Sequence, residues 1–383
     1  MRAALTMATA ALLVTSAGAH AKAPTHAPAP LHKVHVEKGF IDDAIALSAD
    51  GERVAYVLSD GDNTTLTIEK IGGGPAVKAR IQGLPPITSR LVFSADGQYV
   101  LVVGDDREKD AKVAQVYTAE GKPLKGKLGP VTDLDLATLQ GVPVVVTLLV
   151  KRGKNDTSFT FTAYGLQDLK VKKKKTYVTD KQGLLKGLEM KVISYADHYL
   201  RLVGQRKGDF DKKNDIRKPE NMSIVDTLSG KILESTEITD PMGWAEVAKL
   251  RGERPAAEAF VLVEELKTLV LIGRDHKRAE IGLPEKMLKY EPKTLQQQLA
   301  GQSIYFTLSV DPVNPDITAK GRTDRPDVDF YSLDLGQKRA QRLWRLESDR
   351  PVAWHVAGGR MVLLKKYKNF SRGGVDLEVH PLR

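Results

Sequence analysis

Two stretches of the chain run through the same order of apolar and polar positions. Ile45-Ala-Leu-Ser-Ala-Asp-Gly-Glu-Arg-Val-Ala-Tyr-Val57 and Leu91-Val-Phe-Ser-Ala-Asp-Gly-Gln-Tyr-Val-Leu-Val-Val103 align without a gap and share Ser, Ala, Asp, Gly and two Val. Each reads as an apolar strand, a short polar turn and a second apolar strand. The Asp50-Gly51 and Asp96-Gly97 pairs predict a two-residue hairpin turn, which demands positive φ. Val and aromatic residues follow at strand density.

Weaker copies continue along the chain. Gly141 precedes Val142–Val150, Ser194–His198 precedes Tyr199–Val203, Gly301-Gln302 precedes Ser303–Leu308, and Gly358-Gly359 precedes Arg360–Leu364. One unit, near Ala256 to Glu264, lacks the glycine turn and is placed by spacing alone. Third strands are expected at 65–71, 114–117, 157–164, 221–226, 268–272, 327–334 and 375–380; fourth strands are less distinct, as at 277–282 and 339–346. Seven units of roughly 50 residues fit four-stranded blades, so the expected fold is all-β: a single β-propeller of seven blades over residues 31–383. The chain stops just after a third strand, while Leu31–Lys38 is an orphan strand before the first unit. That strand is expected to become the fourth of the last blade, closing the ring and hiding sheet edges that would invite aggregation.

The Ser-Ala-Asp-Gly hairpins at 45–57 and 91–103 resemble the WD40-like repeat of TolB-type periplasmic propellers and of the propeller domain in prolyl oligopeptidases. The resemblance implies a propeller of this type, a docking platform when found alone. The motif is a turn, so it transfers no functional residue.

The N-terminus sets the compartment. Met1-Arg2 is a minimal positive segment, Ala3–Val14 carries no charge, and Ser16-Ala-Gly-Ala-His-Ala21 ends in the small residues a signal peptidase needs. Residues 1–21 therefore read as a signal peptide and 22–30 as a Pro/Ala-rich extended leader. The protein is expected in the periplasm or secreted. The apolar run is shorter than the ~20 residues of a membrane span, so no transmembrane segment is expected. The chain has no Cys, which leaves stability to the core and removes any thiol chemistry.

Lys and Arg total 58 against 48 Asp and Glu, a formal charge of +10. For an exported chain this balance points away from nucleic acid and toward anionic envelope polymers or lipid headgroups as acidic neighbours; the partner expected is a protein in the cell envelope, with an anionic polymer as the alternative.

Catalytic motifs are sparse. No G-x-S-x-G elbow exists, since Gly301-Gln-Ser303 is not followed by Gly at the fifth position. Gly72-Gly-Gly74-Pro lacks the Lys of a phosphate loop, there is no H-E-x-x-H, and no cofactor is implied. His32-x-x-His35 lies on a strand, where that spacing points the two rings to opposite faces. Asp209-x-Asp211-x-x-x-Asp215 has Lys where a calcium loop needs an oxygen ligand and a Gly. His355, in Ala353-Trp-His355, is expected on an innermost strand lining the central channel, as a hydrogen-bonded residue.

Binding is expected on the loops that join second to third strands, which emerge together at the channel mouth. Two are long, 205–220 and 311–326, and without predicted structure of their own, as functional loops often are. Lys151, Arg152 and Lys154 with Arg206, Lys207, Arg217 and Lys218 would form one basic sector. Arg322 and Arg325 lie in the second long loop. Lys365, Lys366, Lys368 and Arg372, with Tyr367 and Phe370 as anchors, would form another sector. The run Lys170-Val-Lys-Lys-Lys-Lys175 reads as an outer strand whose lysines block edge pairing, with polyanion binding as the sharper alternative. The function expected is a non-catalytic binding or scaffold module in the cell envelope. The alternative is a lyase or hydrolase acting on an anionic polysaccharide or peptide at the channel mouth.

Overall fold

A computed structural model describes residues 26–36, 40–60, 63–85, 88–139, 142–153, 157–178, 188–196, 199–206, 210–211, 216–217, 220–226, 232–238, 260–264, 268–272, 278–282, 290–312, 327–337, 339–346, 353–366 and 374–382. Among them every regular element is a strand, so none is a helix long and apolar enough to cross a membrane. The expected signal peptide lies outside the described residues.

The strands form antiparallel meanders taken up in chain order. After β1 (His32–Val36), the first sheet is β2 (Phe40–Leu47), β3 (Arg53–Asp60), β4 (Asn63–Lys70) and β5 (Val77–Arg80). The second is β6 (Thr88–Phe93), β7 (Tyr99–Asp106), β8 (Ala111–Thr118) and β9 (Leu128–Val131). The third is β10 (Asp133–Leu139), β11 (Val142–Arg152), β12 (Thr157–Gly165) and β13 (Val171–Val178). The fourth joins β14 (Leu188–Ala196) and β15 (Tyr199–Arg206) to β18 (Glu220–Asp226) and β19 (Ile232–Ile238). Between β15 and β18 runs a ribbon of β16 (Phe210–Asp211) and β17 (Ile216–Arg217). The fifth has three described strands, β20 (Phe260–Glu264), β21 (Thr268–Ile272) and β22 (Arg278–Gly282). The sixth is β23 (Tyr290–Ala300), β24 (Ser303–Pro312), β25 (Asp327–Asp334) and β26 (Arg339–Leu346). The last is β27 (Ala353–Ala357), β28 (Arg360–Lys366) and β29 (Val375–Pro381), with β1 as its outermost strand. β1 runs antiparallel to β29 from His32 opposite Val379 to Val36 opposite Val375.

The strands carry long apolar runs because both faces of a sheet are covered by its neighbours. Val100, Leu101, Val102 and Val103 are all fully buried. Val100 and Val102 pack toward the first sheet, while Leu101 and Val103 pack toward the third. The last sheet meets the first through Val362, Leu364, Leu377 and Val379, and the sixth through Met361, Leu363 and Trp354. Each such side chain contributes roughly 1.5–3 kcal/mol. The leading strands β2, β6 and β10 contact one another in series, and β2 also touches β27, which touches β23. Meanders stacked face to face about their leading strands make this a β-propeller.

Three expectations change. The Ser-Ala-Asp-Gly turn is a four-residue loop rather than a two-residue one: Ser48 N donates to Arg53 O at 3.0 Å and Gly51 N to Ser48 O at 2.8 Å. Only the glycine takes positive φ, +72° at Gly51 and +67° at Gly97. Asp50 instead works as a brace, its Oδ1 accepting from Ser48 Oγ at 2.5 Å and Glu52 N at 2.9 Å. Asp96 repeats this with Ser94 and Gln98. The end of the leader is docked, since Pro28 O accepts from His380 Nδ1 at 2.7 Å and Ala27 packs on the Trp354 cluster. The segment 205–220 carries its own structure, the ribbon that pairs Phe210 with Arg217 and Asp211 with Ile216. Asp209 and Asp215 of the calcium pattern lie outside the described residues.

Candidate functional site

At the inner end, β27 is the terminal strand of its sheet, with Trp354 and Val356 buried and His355 between them. Leu47 N donates to His355 Nδ1 at 3.1 Å, which fixes the ring proton on Nε2. The Gln298 amide spans Val356, accepting from its N at 2.8 Å and donating to its O at 2.7 Å. That orientation turns the Gln298 NH2 toward His355 Nε2, 3.4 Å away. His355 Nδ1 therefore ties the last sheet to the first, while the tie to the sixth runs through Val356 and Gln298; with Nε2 protonated, the neighbouring NH2 makes no hydrogen bond to the ring. Burial holds its pKa down at about 4, and the Leu47 N–H aimed at Nδ1 opposes a second proton there. The ring is neutral at physiological pH and bound into the framework.

At the other end of the leading strands, Arg90 on β6 is 7% exposed and grips β10 of the third sheet. Its Nη1 donates to Asp135 Oδ2 at 2.7 Å, and its Nη2 to Asp133 Oδ1 at 3.1 Å and to Leu134 O. A guanidinium suits this fork because its planar donors match two acceptors at once.

The rim is read from where the second strands end. β11 ends in Lys151-Arg152, β15 in Arg206 and β28 in Lys365-Lys366. By contrast β3 ends in Asp60, β7 in Asp105-Asp106, and β24 in Asp311-Pro312. Positive ends thus fall on the third, fourth and last sheets, and negative ends on the first, second and sixth. Lys151 is exposed, and Arg217 sits on the ribbon, opposite Phe210. Lys154, Lys207, Lys218, Arg322, Arg325, Tyr367, Lys368, Phe370 and Arg372 lie outside the described residues. Lys365 departs from the expected basic sector: it turns inward to Glu378 Oε2 at 2.6 Å and is neutralised there.

That ion pair belongs to a network the sequence reading missed. Asp376, Glu378 and His380 alternate on β29 and face the same side, all buried. Lys33 of β1 reaches Asp376 at 2.7 Å and Glu378 at 3.1 Å, His35 reaches Asp376 at 2.6 Å, and His380 Nε2 lies 3.2 Å from Glu378. Burial alone would raise the Glu378 pKa, but Lys365 and Lys33 outweigh it and the carboxyl stays below its ordinary value. The two histidines of the x-x spacing part as expected of a strand: His32 turns to Glu69 Oε2 of the first sheet at 2.9 Å. The period-two pattern Asp-x-Glu-x-His within Val-Leu-Val was the available signal. Among the described residues no group of three or more His, Asp or Glu is arranged to hold a metal ion.

Arginines also tie one turn to the next. Arg53 Nη1 donates to Gly97 O at 3.2 Å, and Arg360 Nη1 to Gly51 O at 2.6 Å, with Arg360 Nη2 on Glu52 at 2.8 Å. Both arginines open the second strand of one sheet and hold the turn of the following sheet.

Comparison with protein families finds no match, and comparison with curated proteins finds none. Solved structures do match. The polysaccharide lyase Uly1 is 13% identical with a TM-score of 0.52, over 93% of this chain and 100% of that one. The β-propeller domain of the Trilobed protease from Pyrococcus furiosus, described as having an open velcro topology, is 13% identical with a TM-score of 0.48, over 90% and 98%. The Dos1 propeller is 10% identical with a TM-score of 0.47, over 92% and 94%. At such identity the likeness is one of fold.

Proposed function

We propose that the chain is an exported seven-bladed propeller, its last blade closed by β1, that serves as a non-catalytic binding module in the cell envelope. Residues 1–21 would be removed on export and 22–30 would lead into the propeller of residues 31–383. The observation that carries this reading is the rim, where second-strand ends are acidic on the first two sheets and basic on the next two. Such segregated charge suits recognition of a protein partner with the opposite arrangement. The inner histidine supports the same reading, because an imidazole with Nδ1 committed to Leu47 has no lone pair left for proton abstraction.

The test is photo-crosslinking in intact cells, with the probe at Lys151 and at Arg217. A discrete protein adduct is expected at either position, the one at Arg217 weakened by Lys151→Glu. Absence of adducts from folded, exported protein would remove the rim assignment.

A second reading draws on the likeness to Uly1, a polysaccharide lyase. Here an anionic polysaccharide would be cut at the channel mouth. Incubation with polyuronates, followed by absorbance of unsaturated products, tests it. Product formation that survives His355→Gln would place the chemistry on other residues, and no product would leave the binding module.

A further inference from the structure

We propose that the outer edge of the third sheet is a second binding surface, for an extended anionic polysaccharide, laid along β13. It lies along a strand edge and meets the rim at Lys151. β13 is the end strand of its sheet, and residues 170–175 are five lysines and one valine. Lys170, Lys172 and Lys174 are exposed, while Lys173 and Lys175 are half-buried. The acid within the same hairpin is Asp168, whose carboxylate lies 3.4 Å from Lys172 Nζ. Successive residues of a strand point to opposite faces and alternate ones, roughly 7 Å apart, share a face, so the cations of 172–175 run in two files, one on each side of the edge. The pairing with β12 shifts register beside Lys172, between Ala163 and Tyr164, which turns the strand there.

Blocking edge pairing needs fewer charges than this. β19, the end strand of the fourth sheet, carries two Glu and no Lys, and β5 carries one Lys and one Arg. On β26 the arginines Arg342 and Arg345 are drawn to Asp329, at 3.6 Å and 2.9 Å. The lysine density of β13 is therefore in excess of its protective role.

The geometry chooses among anions. Cations on both sides of an edge suit a flexible chain that wraps it, and a flat protein face meets only one file. Lysines are compact, mobile point charges, suited to diffuse anionic groups rather than to forked recognition of one phosphate. A nucleic acid would want aromatic faces on which its bases stack. Among the described side chains of the hairpin, Phe159 and Phe161 are buried and Tyr164, opposite Val171, packs partly buried against the core shared with the second sheet. Exposed Lys151 extends the strip. It faces Ser158 on β12, which faces Val178 on β13, so it lies about 10 Å across and about 10 Å along from Lys175.

The probe is fluorescein-labelled polygalacturonate, titrated with the full mature protein, with neutral dextran as control. Binding is expected to weaken by about tenfold or more between about 50 and about 200 mM NaCl. Replacing Lys172, Lys173, Lys174 and Lys175 together by Gln is expected to lower affinity by about tenfold and flatten the salt dependence. A footprint on the unaltered protein does not depend on that variant folding: polygalacturonate, and not dextran, should protect Lys172–Lys175 from acetylation while Lys109 stays reactive. Unchanged affinity in the folded variant, or no protection in the footprint, would show that the lysines only block edge pairing. Equal affinity for oligo-deoxythymidine would overturn the polysaccharide assignment.

Discussion

Adjacent glycines in the turn between β27 and β28 make a built-in control for how the first and last sheets meet. Gly358 and Gly359 both have positive φ, +54° and +69°. A methyl group on Gly359 would meet nothing within 4 Å. A methyl on Gly358 would fall well inside contact distance of the backbone of Asp50 and Gly51 in the first sheet's turn. The approach is mutual, since a Cβ on Gly51 would come 3.0 Å from Gly358 O. Ala in the left-handed region costs about 1 kcal/mol, and that is the whole expectation for Gly359→Ala. For Gly358→Ala the two turns must also separate by about 1 Å to restore contact distance. Overpacking against backbone adds about 1–3 kcal/mol, giving about 3 kcal/mol in total.

Urea unfolding followed by far-ultraviolet circular dichroism reads the difference directly. Thermal melts should show losses of about 4 °C and about 1 °C, from an unfolding entropy near 2 cal/mol/K per residue. Arg360 bonds the same turn through Gly51 O and Glu52. Once Gly358→Ala has displaced that turn those bonds are already weakened, so adding Arg360→Ala should cost less than it does alone. Equal costs for the two alanines, or strict additivity with Arg360→Ala, would refute a tight seam between these turns.

Three further outcomes follow from the buried polar groups. Arg90→Ala strands the Asp133 and Asp135 carboxylates and should cost about 3 kcal/mol; in a cycle with Asp133→Asn and Asp135→Asn, a coupling near zero would mean the clamp is idle. His355 holds its folded pKa near 4 against an ordinary 6.5, so the unfolded chain binds the extra proton between those values. Stability should therefore fall as pH drops from 6.5 to 4, by about 3 kcal/mol at most, and His355→Gln should abolish that slope. Glu378 has a folded pKa below its ordinary 4.5, so its contribution is complete above that pH and fades below it. The gap between wild type and Glu378→Gln should accordingly close on acidification below about pH 4.5, and a constant gap would deny the ion pairs a role.

The strands were legible because their signal is local. Apolar runs of strand length, punctuated by Gly, marked the hairpins, and the third strands expected at 157–164, 221–226 and 327–334 fall on β12, β18 and β25. The pairing of the N-terminal segment with the last sheet was legible from bookkeeping, since a strand without a neighbour and a sheet short of one solve each other. The turn was misjudged because Asp-Gly tolerates positive φ at both residues, while Ser48 and Arg53 pair first and leave four residues between them. The docked leader was invisible, for Ala27 and Pro28 carry no pattern and their partners, the Trp354 cluster and His380, lie over three hundred residues on. Cross-sheet ion pairs were unreadable for the same reason, as Arg90 finds Asp133 only once two sheets stack. The bond from Leu47 N to His355 joins the first and last sheets across some three hundred residues, beyond any local argument.

The buried polar groups spend their valence at the seams between sheets. Arg90, His355, Asp376, Glu378 and His380 lie between sheets, and their partners across the seams already hold them. Burying charges is costly, and here the ion pairs lie where sheet meets sheet. Among the described residues, charges open to solvent include Lys151 and Asp60 at strand ends and Lys172 and Lys174 on the edge strand β13. Exposed charges at a rim act mainly on encounter, accelerating approach of a complementary partner and doing little once it is seated. If the rim docks a protein, Lys151→Glu should slow association severalfold, with the deficit shrinking as salt screens it, and leave dissociation nearly unchanged. A change confined to dissociation would place Lys151 inside a desolvated contact, and the interface would then be centred on the third sheet rather than on the charge boundary between the second and third.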